Sequence, residues 1–213
     1  MLNVLCACEE SQAVCKAFRE LGHEAYSCDL NECSGGHPEW HIQGDARKAL
    51  ALMQWDILIA FPPCTYMTNA SAVRMRVKGE VQQDRYDKMK QAREFFLTFF
   101  NADVPHIAIE NPTPMKICEL PEYSQAIQPY MFGHPYSKRT CLWLKNIPRL
   151  TPTCALYPCH EPYVNGGQKD KHGRYLRFKG RNERNPRIRS KTFDGVAKAM
   201  AEQWSAYVTA HKA

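Results

Sequence analysis

The stretch Asp56-Ile57-Leu58-Ile59-Ala60-Phe61-Pro62-Pro63-Cys64-Thr65 runs from an unbroken apolar segment into two prolines and a cysteine. A short apolar run that stops at prolines is the pattern of a strand buried on both faces, as in a parallel sheet. The Pro-Pro step then holds Cys64 on a stiff turn just past the strand end, within reach of solvent. The plain alternative is a buried thiol packed beside a turn proline, because free cysteine is among the most buried residue types. A second run, His106-Ile107-Ala108-Ile109-Glu110-Asn111-Pro112, ends with a carboxylate in the equivalent place. If the two runs are parallel neighbours, a thiol and a carboxyl group meet at one sheet edge. That pair suits attack on an electron-poor ring, with a thiolate as nucleophile and an acid for the ring nitrogen.

Outward from these runs, strands and helices alternate. Leu2 to Ala7 reads as a buried strand, and a helix over Glu10 to Leu21 carries Ala13, Val14, Ala17, Phe18 and Leu21 at helical spacing before Gly22. Strands follow at Glu24–Asp29 and His41–Asp45, then a short helix over 46–53 and the strand to Cys64. The longest helical pattern covers Gln82 to Phe100, with Tyr86, Met89, Phe95, Phe96 and Phe99 on an apolar stripe read as core. Two later apolar runs, Ile127 to Phe132 and Thr140 to Leu144, flank Gly133-His134-Pro135, a hairpin-like connection. Phe193, Val196, Met200, Trp204 and Val208 mark a closing amphipathic helix. Such alternation predicts an α/β, mostly parallel sheet with helices on both faces, whose ligands sit at the carboxyl ends of the strands. Glu9, Asp29, Asp45, Cys64 and Glu110 all fall at such ends.

The 213 residues, 44% hydrophobic and 23% charged, are expected to form one catalytic domain over 1–213. No apolar stretch approaches the roughly 18 residues of a membrane span, and the N-terminus lacks a basic flank. The ten cysteines are scattered through apolar runs, so reduced thiols and a cytoplasmic location are expected. Ten Lys/Arg against two Asp/Glu fall within 169–191, exceeding the whole chain's net charge of +6. The remainder is therefore slightly acidic, and one compact stripe is available to neutralise phosphates. This segment, overlapping a loop-rich insertion over 151–190, offers Arg174, Arg177, Lys179, Arg181, Arg184, Arg187, Arg189 and Lys191 as nucleic-acid contacts. Tyr175 and Phe178 lie among them, where they can stack on bases. Cys154, Cys159, His160 and His172 are of zinc-ligand type, but their spacing matches no standard finger and no metal is expected.

Asp29 falls about 20 residues after the first strand, the distance of an acid that binds ribose hydroxyls. Asp45 ends the next strand, where it can meet an adenine amino group or simply cap a helix. The first loop, Cys8-Glu9-Glu10-Ser11-Gln12, has no glycine and two carboxylates, which disfavours a pyrophosphate. S-adenosylmethionine, phosphate-free and cationic, suits it better.

Taken in order, these motifs resemble the C5-cytosine DNA methyltransferases, especially short phage-type members. The family's Pro-Cys motif matches Pro63-Cys64, its Glu-Asn motif matches Glu110-Asn111, and its two acids match Asp29 and Asp45. Phe132-Gly133-His134-Pro135-Tyr136-Ser137-Lys138-Arg139 is similar to the Phe-Gly-x-Pro stretch that leads into Gln-x-Arg-x-Arg. The resemblance implies a Rossmann-like, S-adenosylmethionine-dependent methyltransferase fold, with DNA as partner and Cys64, Glu110 and Arg139 as catalytic residues. It places the cofactor against Cys8, Glu9, Asp29, Leu30, Asp45, Ala46, Phe61 and Pro63. By the same resemblance, Cys64 attacks C6 of cytosine while Glu110 holds N3 and Arg139 favours developing negative charge. The family's Phe-x-Gly-x-Gly loop is absent, its Gln-x-Arg-x-Arg slot holds Ser137, Arg139 and Cys141, and only Leu150 to Ser190 stands where a target-recognition domain would be. Other readings are a nucleic-acid-binding or regulatory protein on a decayed scaffold, an amino-methyltransferase, and an enzyme of free nucleotide or RNA. Activation of Cys64 requires positive potential around it, since an ordinary thiol is mostly protonated at neutral pH.

Overall fold

A computed structural model describes residues 1–72, 74–154, 161–163 and 185–212. In chain order the elements are β1 (Asn3–Ala7), α1 (Ala13–Glu20), β2 (Glu24–Asp29), β3 (His41–Gln43), α2 (Ala46–Ala49) and β4 (Ile57–Ala60). A one-turn α3 (Asn69–Ala72) and the ribbon β5 (Arg76–Val77) with β6 (Glu80–Val81) precede α4 (Gln83–Phe100). Then come β7 (His106–Asn111), β8 (Gln125–Ile127), β9 (Tyr136–Ser137), β10 (Thr140–Lys145), β11 (Glu161–Pro162), α5 (Pro186–Ser190) and α6 (Asp194–His211).

Seven strands form one sheet in the order β3-β2-β1-β4-β7-β10-β8. Only β10 runs against its neighbours. This is the mostly parallel, Rossmann-like α/β arrangement expected from the sequence. The apolar run that ends at Phe61 is a central strand, and all four residues of β4 are fully buried. Ile57 and Ile59 face one core with Val14, Phe18, Met200 and Trp204, from α1 and α6. Leu58 and Ala60 face the other, with Met89, Phe96 and Phe99 of α4. Strand alternation sends successive side chains to opposite helical layers, so the strand has no polar position.

Three boundaries differ from the sequence expectation. Helix α1 begins at Ala13 because Gln12 is left-handed, at φ 57°, and no side chain of its own caps the helix. Helix α2 stops at Ala49. The Gly133-His134-Pro135 step does not close a hairpin between the two runs. Instead β8 covers only 125–127, pairs Ile127 with Thr140, and reaches β10 through a 3-10 turn at 129–131 and β9. No helix among the described residues is long and apolar enough to cross a membrane.

Candidate active site

β4 and β7 are parallel neighbours, with Ala60 opposite Ile109. The loops that follow them are fastened together. The buried Asn111 Nδ2 donates to the Pro62 carbonyl at 2.8 Å, tying the Pro-Pro-Cys turn to the end of β7. The Cys64 carbonyl accepts from the amides of Met67 and Thr68 at 3.0 and 3.2 Å, making a tight turn there. Farther out, Met115 N donates to the Met67 carbonyl at 2.7 Å and the Cys118 thiol to the same carbonyl. Cys64 is thereby held, partly exposed, on the same rim as Glu110.

Glu110 acts on Cys64. Burial pushes the Glu110 carboxyl up, and Lys138 and the Thr140 hydroxyl hold it back. Burial and then the Glu110 charge push the Cys64 thiol up, while Lys138 and Arg189 pull it down. The positive potential expected at Cys64 is present, yet burial and Glu110 outweigh it, so the free thiol sits above its ordinary value. A protonated Glu110 removes that repulsion. The pair thus favours an acid at Glu110 together with a thiolate at Cys64 over a double anion.

Arg139 lies elsewhere. Its guanidinium donates to Tyr123 Oη at 2.9 Å and sits over the Tyr123 ring. Within β10, Leu142 belongs to the α6-side core, whereas Cys141 and Trp143 face the α4 side. Thr140 falls on Glu110's side, and Lys138, two residues ahead of it and outside the strand, lies there too, while Arg139 is with Tyr123 beside Trp143. A cleft lined by Glu110, Lys138, Thr140, Ser190, Phe193 and Met200 opens there. Its volume, about 20 Å³, is room for roughly one water. Lys138 Nζ donates to the Arg189 carbonyl of α5 at 2.8 Å, across the mouth of this cleft. Neither Lys138 nor Thr140 stands out in the sequence. Counting strand parity back from Leu142 finds Thr140, whereas Lys138 precedes the strand and only the fold places it.

The crevice between β1 and β4, where strand order reverses, is the expected ligand position. There Cys8 is left-handed at φ 61°, and the Phe61 amide donates to the Ala7 carbonyl at 2.9 Å. Glu9 is buried, and its carboxylate accepts from the amides of Val14 and Cys15 at 2.7 and 3.2 Å. It fills the helix N-terminus that would otherwise hold a phosphate, and burial lifts its pKa to about 7 despite those bonds. The Gln12 side chain is clamped to the backbone of His37 by bonds of 2.7 and 3.1 Å, which folds the 31–38 loop onto the same corner. A Cβ at Gly35 would stand 2.5 Å from that of Gln12.

Asp29 closes β2 and accepts from the Asn31 amide at 2.9 Å, and Leu30 beside it is 76% exposed. Asp45 caps α2 through the Arg47 amide and is paired with the Arg47 side chain, which holds its carboxyl down at about 2. Ala46 is buried behind it, and Pro63 is exposed at the rim. The corner therefore matches a phosphate-free, cationic adenosine derivative: an acid and an open apolar face for the nucleoside, and no amide cradle for phosphate.

Of the basic segment, Arg189 and Lys191 are described, with Arg189 exposed; Arg187 lies on α5, and Arg174, Arg177, Lys179, Arg181 and Arg184 fall outside the described residues. So do Tyr175, Phe178, Cys159, His160 and His172. Cys154 is exposed and bridges Phe132, and no group of three or more metal-binding side chains occurs among the described residues.

No protein-family model matches this sequence, and no curated protein does. Among solved structures it is similar to a candidate DNA modification methyltransferase encoded within an E. coli prophage. That match is 14% identical with a TM-score of 0.44, over 68% of this chain and 46% of the other. A Spodoptera frugiperda DNMT2 mutant matches at 14% identity and a TM-score of 0.42, over 80% and 60% of the two chains. An S. pombe Dnmt2 methyltransferase matches at 14% identity and a TM-score of 0.41, over 70% and 51%. The chain spans less than two thirds of the length of each of these proteins.

Proposed function

We propose that this chain transfers a methyl group from S-adenosylmethionine to C5 of cytosine in DNA, through a covalent adduct at Cys64. The observation that carries this reading is the coupling of Cys64 and Glu110 on one rim, fixed by the Asn111–Pro62 bond. S-adenosylmethionine supplies an electrophilic methyl on a sulfonium, held against Asp29, Leu30 and the Cys8–Glu9 turn.

The Cys64 thiol first yields its proton to solvent. Its sulfur then adds to C6 of the ring while the Glu110 acid gives its proton to N3, so the ring gains no net charge. The enamine so formed is nucleophilic at C5, where bound S-adenosylmethionine would supply the methyl and leave as S-adenosylhomocysteine. A base removes the C5 proton, the sulfur leaves C6, and the N3 proton returns to Glu110. In a duplex the target must leave the stack, at a cost of a few kcal/mol.

The experiment is transfer of labelled methyl to duplex DNA, single-stranded DNA, RNA and free cytosine nucleotide. A 5-fluorocytosine oligonucleotide runs alongside and traps the adduct. The expected result is methylated DNA and an adduct on the Cys64 peptide, with Cys64→Ser slower by at least about 10³-fold. A Cys64→Ser variant with full activity overturns the covalent route.

A second reading, a nucleic-acid-binding protein on a methyltransferase scaffold, is favoured by the filled N-terminus of α1 and the narrow cleft. Calorimetry showing no S-adenosylmethionine uptake, with nucleic-acid binding intact, selects it.

A further inference from the structure

We propose that Lys138 is the substrate-contacting cation of this centre, held by the Arg189 carbonyl until a base enters the cleft and then donating to the base's C2 carbonyl. The proposal rests on the cytosine reading above. Three observations carry it.

Lys138, just ahead of β10, and Thr140, its first residue, line the same cleft as Glu110. The guanidinium next in sequence is bound to Tyr123 on the opposite face and reaches no part of that cleft. Finally, the ammonium is positioned but not locked. Its bond to the Arg189 carbonyl is 2.8 Å, and the Phe193 ring centroid lies 5.9 Å from it.

That latch joins the end of the basic stretch to the catalytic rim. The cleft beneath holds about one water, so a pyrimidine enters only when the 189–193 strap withdraws. Withdrawal removes the carbonyl acceptor from Lys138 at the moment a ring carbonyl becomes available. An ammonium has three donors and rotates freely, which suits such an exchange better than a planar guanidinium fixed on a tyrosine. Glu110, Lys138 and Arg189 are the charged groups that act on Cys64. Lys138 pulls both Cys64 and Glu110 downward. Its presence therefore favours the thiolate, and its bond to the C2 carbonyl polarises the ring for attack at C6.

The test compares wild type with Lys138→Met, Lys138→Gln and Lys138→Arg. Gln keeps a donor for the Arg189 carbonyl and guards against simple misfolding. One readout needs no substrate: the pH profile of Cys64 alkylation, followed on the Cys64 peptide by mass spectrometry. Loss of the charge is expected to move that profile up by about one pH unit in Met and Gln, a tenfold slower reaction at fixed pH. Arg should restore it. The other readout is single-turnover methyl transfer, expected to fall about 10²-fold in Met and Gln with DNA affinity within about threefold.

A wild-type chain that forms no adduct overturns the cytosine reading and this proposal with it. An active wild type whose Met and Gln variants keep their transfer rate and alkylation profile overturns this proposal alone. So does a loss confined to DNA affinity, which marks Lys138 as a phosphate anchor.

Discussion

At the scale of single residues, the chemistry rests on side chains whose settings oppose one another. Glu110 raises the Cys64 thiol, and Lys138 lowers both. Removing the carboxylate therefore separates reactivity from catalysis. In Glu110→Gln the Cys64 thiol should titrate lower, so iodoacetamide modifies it faster at a given pH. Methyl transfer should meanwhile fall by about 10²- to 10⁴-fold for want of the N3 acid. Slower alkylation in that variant contradicts the coupling. Asn111 acts one step back: its amide bond to the Pro62 carbonyl is buried, and its loss leaves an unpaired acceptor. Asn111→Ala should cost about 1–3 kcal/mol of stability in a denaturant melt. It should also slow the adduct step, because the turn that carries Cys64 is released. An adduct rate equal to wild type in the folded fraction removes Asn111 from the site.

At the scale of elements, the first βα corner stores a carboxylate where nucleotide-phosphate sites hold glycine. Glu9 is buried against the amides of Val14 and Cys15, and its pKa is lifted to about 7. A group raised in the folded state binds its proton more tightly there than in the unfolded chain. Its stabilising contribution is complete below the ordinary glutamate range and fades as pH climbs through 7. The thermal midpoint should thus fall between about pH 5 and 8, by an amount equivalent to at most roughly 3 kcal/mol. Glu9→Gln should flatten that slope. A midpoint profile identical in both proteins shows that Glu9 titrates normally. The start of α6 is equally constrained: the Gly195 amide donates to His134 Nε2 at 3.0 Å, and a Cβ there would stand 2.0 Å from the Phe132 carbonyl oxygen. Only glycine lets the closing helix approach the 132–134 turn.

Over the whole molecule, the end of the basic segment and the proposed catalytic pair lie apart in sequence and meet in space. The stretch 169–191 holds ten of the chain's 28 Lys/Arg, and its end is latched to Lys138 beside Glu110. On the proposed reading, DNA affinity should weaken steeply with salt. Replacing Arg187, Arg189 and Lys191 by alanine should reduce the slope of log affinity against log salt by about two to three units, at roughly 0.9 for each duplex phosphate left without its cation. An unchanged slope detaches this end of the segment from the DNA. The sequence by itself determined the parallel sheet, because an apolar run such as 57–60 can only be satisfied by burial on both faces. It also placed Cys64, Glu110 and Asp29 at strand ends, since prolines and acids stop the runs. Tertiary structure alone decided which cation faces Glu110. Lys138 and Arg139 stand side by side just ahead of β10 and look interchangeable in sequence until the fold sets one in the Glu110 cleft and the other on Tyr123. It also decided that Asp45 is held by Arg47 and that Glu9 turns inward, because both depend on how a helix start meets a neighbouring carboxylate, and spacing carries no record of that.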